Sequence, residues 1–181
     1  MRSRLWLSTV IVFVSIVLGG TIAAAAPGAG SSEFLVSGGF SHRQGSDFGN
    51  LNADLGYGYY LTPGWQLGIR QALNYEFIDD RRDVWTATTA PFLNYHFRMT
   101  DIIVPYLGGF IGVAWNDRDA TGTIGPQAGV KLFVHERAFV NIGYRYEFFF
   151  DKIRAIDNNA SDGNHVGNIG VGLTWGGSKR P

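Results

Sequence analysis

The stretch 138–151, AFVNIGYRYEFFFD, decides how the whole chain is read. Val140, Ile142, Tyr144, Tyr146, Phe148 and Phe150 occupy one set of alternate positions, and Asn141, Gly143, Arg145 and Glu147 occupy the other. Successive side chains of a strand point to opposite faces, so this segment has one apolar face and one ionic face. A period of 3.6 would mix the two sets.

The same alternation recurs outward from this stretch. Trp65, Leu67, Ile69, Leu73, Tyr75 and Phe77 oppose Gln66, Gly68, Arg70, Asn74 and Glu76, with Gln71 breaking the rule. Leu51, Ala53, Leu55, Tyr57 and Tyr59 oppose Asn52, Asp54, Gly56 and Gly58. Ile124, Ala128, Val130, Leu132 and Val134 face away from Gln127, Gly129 and Lys131, and Ile169, Val171, Leu173 and Trp175 face away from Asn168, Gly170 and Thr174. The pattern predicts eight strands: Glu33 to Arg43, Asn50 to Tyr60, Trp65 to Ile78, Asp83 to Arg98, Ile103 to Asn116, Thr121 to Val134, Ala138 to Asp151 and His165 to Trp175. Thr62-Pro63-Gly64, Met99-Thr100-Asp101 and His135-Glu136-Arg137 read as tight turns. The links at Gln44 to Gly49, Asp79 to Arg82, Asp117 to Ala120 and Lys152 to Asn164 read as longer and more polar. Alternating short and long links belong to an up-and-down meander whose two ends face different surroundings.

Composition agrees with strands and turns. Glycine supplies 25 of 181 residues and aromatics 14%, which argues against disorder and against a helical bundle. Lys plus Arg and Asp plus Glu are 15 each, so there is no net field to hold nucleic acid. The absence of cysteine excludes disulfides, thiolate zinc sites and a cysteine nucleophile. Arg2 and Arg4 precede an apolar run from Leu5 to Leu18 that leads to Ala24-Ala25-Ala26. That order is a secretory signal peptide cut after Ala26, giving a leader at 1–26 and a barrel domain at 27–181. An uncleaved anchor is the alternative, since the run approaches the roughly 20 residues of a spanning helix; the Ala-x-Ala ending favours cleavage.

Alternation does not say which face looks outward. Apolar-in describes a soluble, lipocalin-like carrier, and apolar-out describes a barrel in lipid. Volume separates them, because the interior of an eight-stranded barrel is only just filled by side chains. The apolar set is too large for that space, whereas Gly, Asn, Thr and single charges fit it. The prediction is therefore an all-β, eight-stranded antiparallel transmembrane barrel with Asp54, Arg70, Glu76, Arg98, Lys131, Arg145 and Glu147 in its lumen. Trp65 and Trp175 stand at the short-turn end and Trp85 and Trp115 at the long-loop end, positions that suit the boundary between water and lipid. With no water at membrane depth the sheet has to close on itself.

These residues resemble the OmpA/OmpX-type eight-stranded outer-membrane barrels of Gram-negative bacteria. The resemblance rests on Gly143-Tyr144-Arg145-Tyr146-Glu147, on Asp162-Gly163-Asn164-His165, and on the glycines and tryptophan of the last strand, Gly170, Gly172 and Trp175. It implies residence in the bacterial outer membrane among lipid and lipopolysaccharide, insertion by the barrel-assembly machinery, termini and tight turns in the periplasm, and loops outside the cell. One departure is that Trp175 is followed by Gly176 to Pro181, whereas members of the family often finish on an aromatic residue.

The chemistry candidates are few. The lumenal charges could form a gate of exchangeable ion pairs in a narrow solute pore, or a fixed polar network that plugs the barrel. The narrow interior favours the plug. His42, His96, His135 and His165 scatter between the two ends, so no metal site is expected. The segment 157–163 offers oxygen ligands without the spacing of a calcium loop, and Asn159-Ala160-Ser161 matches a glycosylation sequon. Lipid A deacylases, which the chain is similar to in outline, carry a His-x-Ser pair near the penultimate strand; the corresponding positions here are Glu147 to Phe150. Ser161 and His165 could meet only in a loop, without an orienting group or oxyanion donors. The expectation is a non-enzymatic envelope barrel without a cofactor, whose last loop would carry any recognition of a surface ligand. A pore and a lipid A-modifying enzyme are the alternatives.

Overall fold

The computed structural model describes residues 27–43, 49–76, 84–117, 119–150 and 163–177. The residues 1–26, Ser161 and most of the last loop, for which a leader, a hydroxyl and a recognition surface are expected, lie outside this set. Eight strands follow one another: β1 Ser31–Arg43, β2 Gly49–Tyr60, β3 Trp65–Glu76, β4 Val84–His96, β5 Ile103–Trp115, β6 Ala120–Phe133, β7 Ala138–Phe149 and β8 Gly163–Gly176. Each pairs antiparallel with its sequence neighbours, and β1 pairs with β8 from Ser31 opposite Gly176 to Arg43 opposite Asn164, so the sheet closes into a barrel.

The boundaries agree with the alternation to within about two residues, and the departures have local causes. β4 stops at His96 rather than Arg98 because the chain turns there, with the Ile103 amide donating to the Thr100 hydroxyl at 2.8 Å. β1 starts at Ser31, immediately after Gly30, whose positive φ of 81° suits a residue without a side chain. The alternation of link lengths does not hold throughout. The connections contain five, four, seven, six, four, four and thirteen residues in chain order. The link after β5, grouped with the longer set at Asp117 to Ala120, has the same length as the short turn after β6 and is a four-residue turn in which the Asp119 amide donates to the Asn116 side-chain carbonyl at 2.8 Å. Its polarity comes from this capping.

The wall places apolar groups outside and charges inside. Leu51, Ile169 and Leu173 are 62%, 64% and 58% exposed, whereas Arg145 and Glu147 are 1% exposed. The interior also contains more apolar bulk than alternation indicates. Near the turn end Val104, Phe133 and Phe139 form a buried cluster with Leu35 against it. Inward glycines make room for these rings. A Cβ on Gly172 would lie 2.2 Å from the Phe139 ring, and one on Gly68 would lie 2.3 Å from the Phe92 ring. Two prolines interrupt the ladders, since proline has no N–H to give. β4 and β5 pair at Thr89 with Val113 and again at Phe92 with Phe110, skipping Pro91; β6 and β7 pair at Ile124 with Phe148 and again at Gln127 with Arg145, skipping Pro126.

Candidate functional site

The barrel interior is the candidate site, and its side chains come from alternate positions of every strand. β7 supplies Arg145 and Glu147, two residues apart on one face, and the Arg145 Nε donates to the Glu147 carboxylate at 2.7 Å. Across the lumen, β2 presents Asp54, whose carboxylate accepts from Arg145 Nη1 at 3.1 Å. Arg70 of β3 reaches the same carboxylate at 3.9 Å and lies over the Phe110 ring at 4.8 Å. A second group sits nearer the turns. Lys131 of β6 donates to both Glu33 carboxylate oxygens at 2.7 Å, and the Tyr60 hydroxyl donates to Glu33 at 2.8 Å.

Neutral amides join the two groups. Arg70 donates to Gln127 at 2.8 Å, Gln127 to Asn94 at 2.6 Å, Asn94 to Gln66 at 3.4 Å, and Lys131 to Gln66 at 3.3 Å. Asn164 extends the chain at the loop end by donating to Glu147 at 3.4 Å. The result is a connected column from Asn164 to Tyr60 along the barrel axis. The hydrogen-bonded column carries Glu33, Asp54 and Glu147 against Arg70, Lys131 and Arg145, and Arg98, whose Nε is also buried, adds a positive charge at the turn end. Aromatic faces complete the setting of Lys131, with the Phe139 ring 5.2 Å and the Tyr60 ring 5.5 Å from its Nζ. Beside the column remains a cavity of about 50 Å³ lined by Arg70, Arg145, Asn141 and Tyr106.

Asp54, Arg70, Lys131, Arg145 and Glu147 therefore meet in the lumen as neighbours in one network. Arg98 lies at the end of this network, within electrostatic reach of Tyr60 and His96. It follows the end of β4, and its Nη2 donates to the carbonyl of the buried Pro27 at the turn-end mouth. The Glu76 side chain lies outside the described residues. Alternation puts Gln66 and Gln127 on the lumenal face without marking them as members of the network, and it misses Glu33, Tyr60 and Asn94. The uncharged members carry no distinctive signal beyond their inward parity, while Glu33 sits where Phe34, Leu35 and Val36 are apolar on both faces.

The tryptophans occupy both rims on the outer surface. Trp65 meets Tyr95 with ring centroids 5.0 Å apart, and Trp175 meets Tyr57 at 6.3 Å, both near the short-turn end. Trp85 and Trp115 stack edge to face at 5.8 Å at the other rim. The histidines do not converge. His96 is buried between Tyr60 and Tyr106, His135 is exposed in a turn, and the side chain of His42 lies outside the described residues. His165 sits on the outer wall, its Nδ1 paired with the Tyr144 hydroxyl at 2.6 Å and its ring 4.6 Å from Tyr146.

No protein-family model matches the chain, and no curated protein sequence does. Solved structures do. Neisserial surface protein A (NspA) superposes with a TM-score of 0.64 at 14% identity, covering 80% of this chain and 96% of that one. The N-terminal β-barrel domain of Pseudomonas aeruginosa OprF gives 0.55 at 19% identity over 82% and 99% of the two chains. A transmembrane β-barrel designed de novo gives 0.56 at 13% identity over 81% and 97%. At these identities the likeness establishes the fold, an eight-stranded up-and-down barrel, and a fold alone does not specify an activity.

Proposed function

We propose that the protein is an integral outer-membrane barrel that acts without catalysis, reinforcing the envelope and presenting its loop-end segments to the surroundings. One observation carries this reading: the wall exposes Leu, Ile, Val and aromatic side chains while Arg145, Glu147, Lys131 and Asp54 are buried inside. That distribution is costly in water and favourable in hydrocarbon. Strands of 12 to 14 residues exceed the roughly 9 to 11 that cross a bilayer at a tilt. The tryptophan rims at the two ends mark the levels of the headgroups. Residues 1–26 would direct the chain into the secretory route and be removed, and the turn end, where β1 begins and β8 finishes, would lie in the periplasm. The folds of NspA and the OprF domain support the same placement.

The lumen in this reading is a plug. The column from Asn164 to Tyr60 ties both ionic groups together, and the ring cluster of Phe133 and Phe139 narrows the turn end with apolar surface, which resists hydrated ions. His165 supports a structural role on the outer wall, because its Nδ1 is engaged by Tyr144. Purified barrel incubated with lipopolysaccharide should release no fatty acid, and release that depends on His165 would replace this reading with an acyl hydrolase.

Cell fractionation combined with gel mobility tests the membrane placement. The protein should sediment with outer-membrane markers and migrate as a compact species in cold detergent that shifts on boiling. A monodisperse, detergent-free protein without this shift would instead indicate a soluble barrel.

A further inference from the structure

Gln71 is the exception to the apolar outer face of β3, and the structure shows where it lies. It is six residues from Trp65 and four from Tyr75 along β3. At about 3.3 Å per residue and a tilt of roughly 40°, this puts it some 15 Å above Trp65 of the lower aromatic rim and about 10 Å below Tyr75, with Trp115 of the upper rim reaching down to its neighbour Thr89. Its partner across the ladder is Thr89 of β4, which also faces outward. Among the described residues no other outward side chain between the rims carries an amide or an aliphatic hydroxyl. The pair is connected on one side only: the Trp115 indole donates to the Thr89 hydroxyl at 3.3 Å, and that hydroxyl donates to the Gln71 carbonyl at 2.7 Å. The Gln71 amide nitrogen has a single long contact, 3.4 Å to the Ala72 carbonyl.

A carboxamide has two N–H donors and two acceptor lone pairs. Thr89 uses one lone pair and Ala72 one N–H, which leaves one donor and one acceptor on the exposed amide. Lipid tails at this depth offer neither. Polar side chains are the groups that join membrane segments to one another, and flat neighbours permit close approach. Pro91, exposed beside Thr89 on the outer face of β4, provides such a surface, and Ala87 on its other side is buried and adds no bulk there.

We propose that this face of β3 and β4 binds a second copy of the chain, with the two Gln71 amides paired across a twofold axis. An amide with one donor and one acceptor free is complementary to itself, and a twofold axis places identical groups face to face. Two N–H···O bonds then satisfy both side chains without any group from another protein. The proposal rests on the membrane placement argued above.

The test is energy transfer between copies in lipid vesicles. The chain has no cysteine, so Leu61→Cys, in the exposed turn at the foot of β3, gives one labelling site for a mixture of donor and acceptor dyes. Transfer above the level of random collision is expected at high dilution in lipid. Gln71→Leu should weaken dimerisation about tenfold or more, given the usual strength of polar contacts between membrane segments. Ile169→Leu, at the same six-residue distance from Trp175 on a different part of the wall, adds no polar group and should leave transfer unchanged. Monomers in the unsubstituted chain, or transfer indifferent to Gln71→Leu, would overturn the dimer. Heat-shifted gel mobility is read on the same samples. An unsubstituted chain that keeps the shift while remaining monomeric overturns the dimer alone, and loss of the shift in the unsubstituted chain overturns the membrane reading together with it.

Discussion

Lys131 illustrates what one buried charge requires. Its ammonium is held by Glu33, with Tyr60 and Gln66 as further partners, and all four side chains are buried. Lys131→Met would leave the Glu33 carboxylate without its counter-ion, and breaking such a pair costs about 3–5 kcal/mol. The double variant Lys131→Met with Glu33→Gln removes both charges and should recover most of that loss. Urea midpoints followed by gel mobility would check this, and equal midpoints for the single and double variants would contradict it. The two residues also differ in how legible they are in the sequence. Lys131 lies between Val130 and Leu132 in a clear alternation, so its inward position can be read directly. Glu33 precedes three apolar residues in a row, and only the paired structure shows which of them turn inward.

β7 and β8 show how glycine and aromatic residues share the lumen. Phe139 occupies the space over Gly172, its direct partner across the ladder. Gly172→Ala would put a methyl group into that ring, and overpacking of this kind costs about 1–3 kcal/mol. Phe139→Leu in the same chain should relieve part of it, which the same midpoints would reveal. Periodicity exposes β7 and β3 well because their two faces differ in polarity at nearly every position. The link after β5 is harder to read. Asn116, Asp117 and Asp119 have the composition of a long loop, yet the Asn116 side chain closes them into a turn through a bond that depends on geometry. Gln71 is visible in the sequence as an exception, whereas its bond to Thr89 depends on the register between β3 and β4.

The whole molecule combines a closed wall with a connected interior. If the lumen is the plug proposed above, planar-bilayer recordings of the unsubstituted protein should show no ion steps, with the column filling the lumen lengthwise and the Phe133–Phe139 pair narrowing its turn end. Trimming Lys131 and Phe139 to glycine together should open measurable conductance at the turn end. Steps already present in the unsubstituted chain would establish the pore instead. The closed wall and its inside-out polarity follow from alternation, lumen volume and the absence of water in lipid. The links between amides such as Gln127 and Asn94 do not, since they depend on which rotamers meet across the axis.

The seam between β1 and β8 joins Ser31 to Gly176, 145 positions apart. The first strand to be synthesised therefore waits for the last before its free edge finds a partner. Until then two raw margins of amide and carbonyl would face the acyl chains, so no partial cylinder is a comfortable resting point. In the membrane placement proposed above, insertion should accordingly be all-or-nothing, and a chain that stops short of β8 should be degraded rather than accumulate half-inserted.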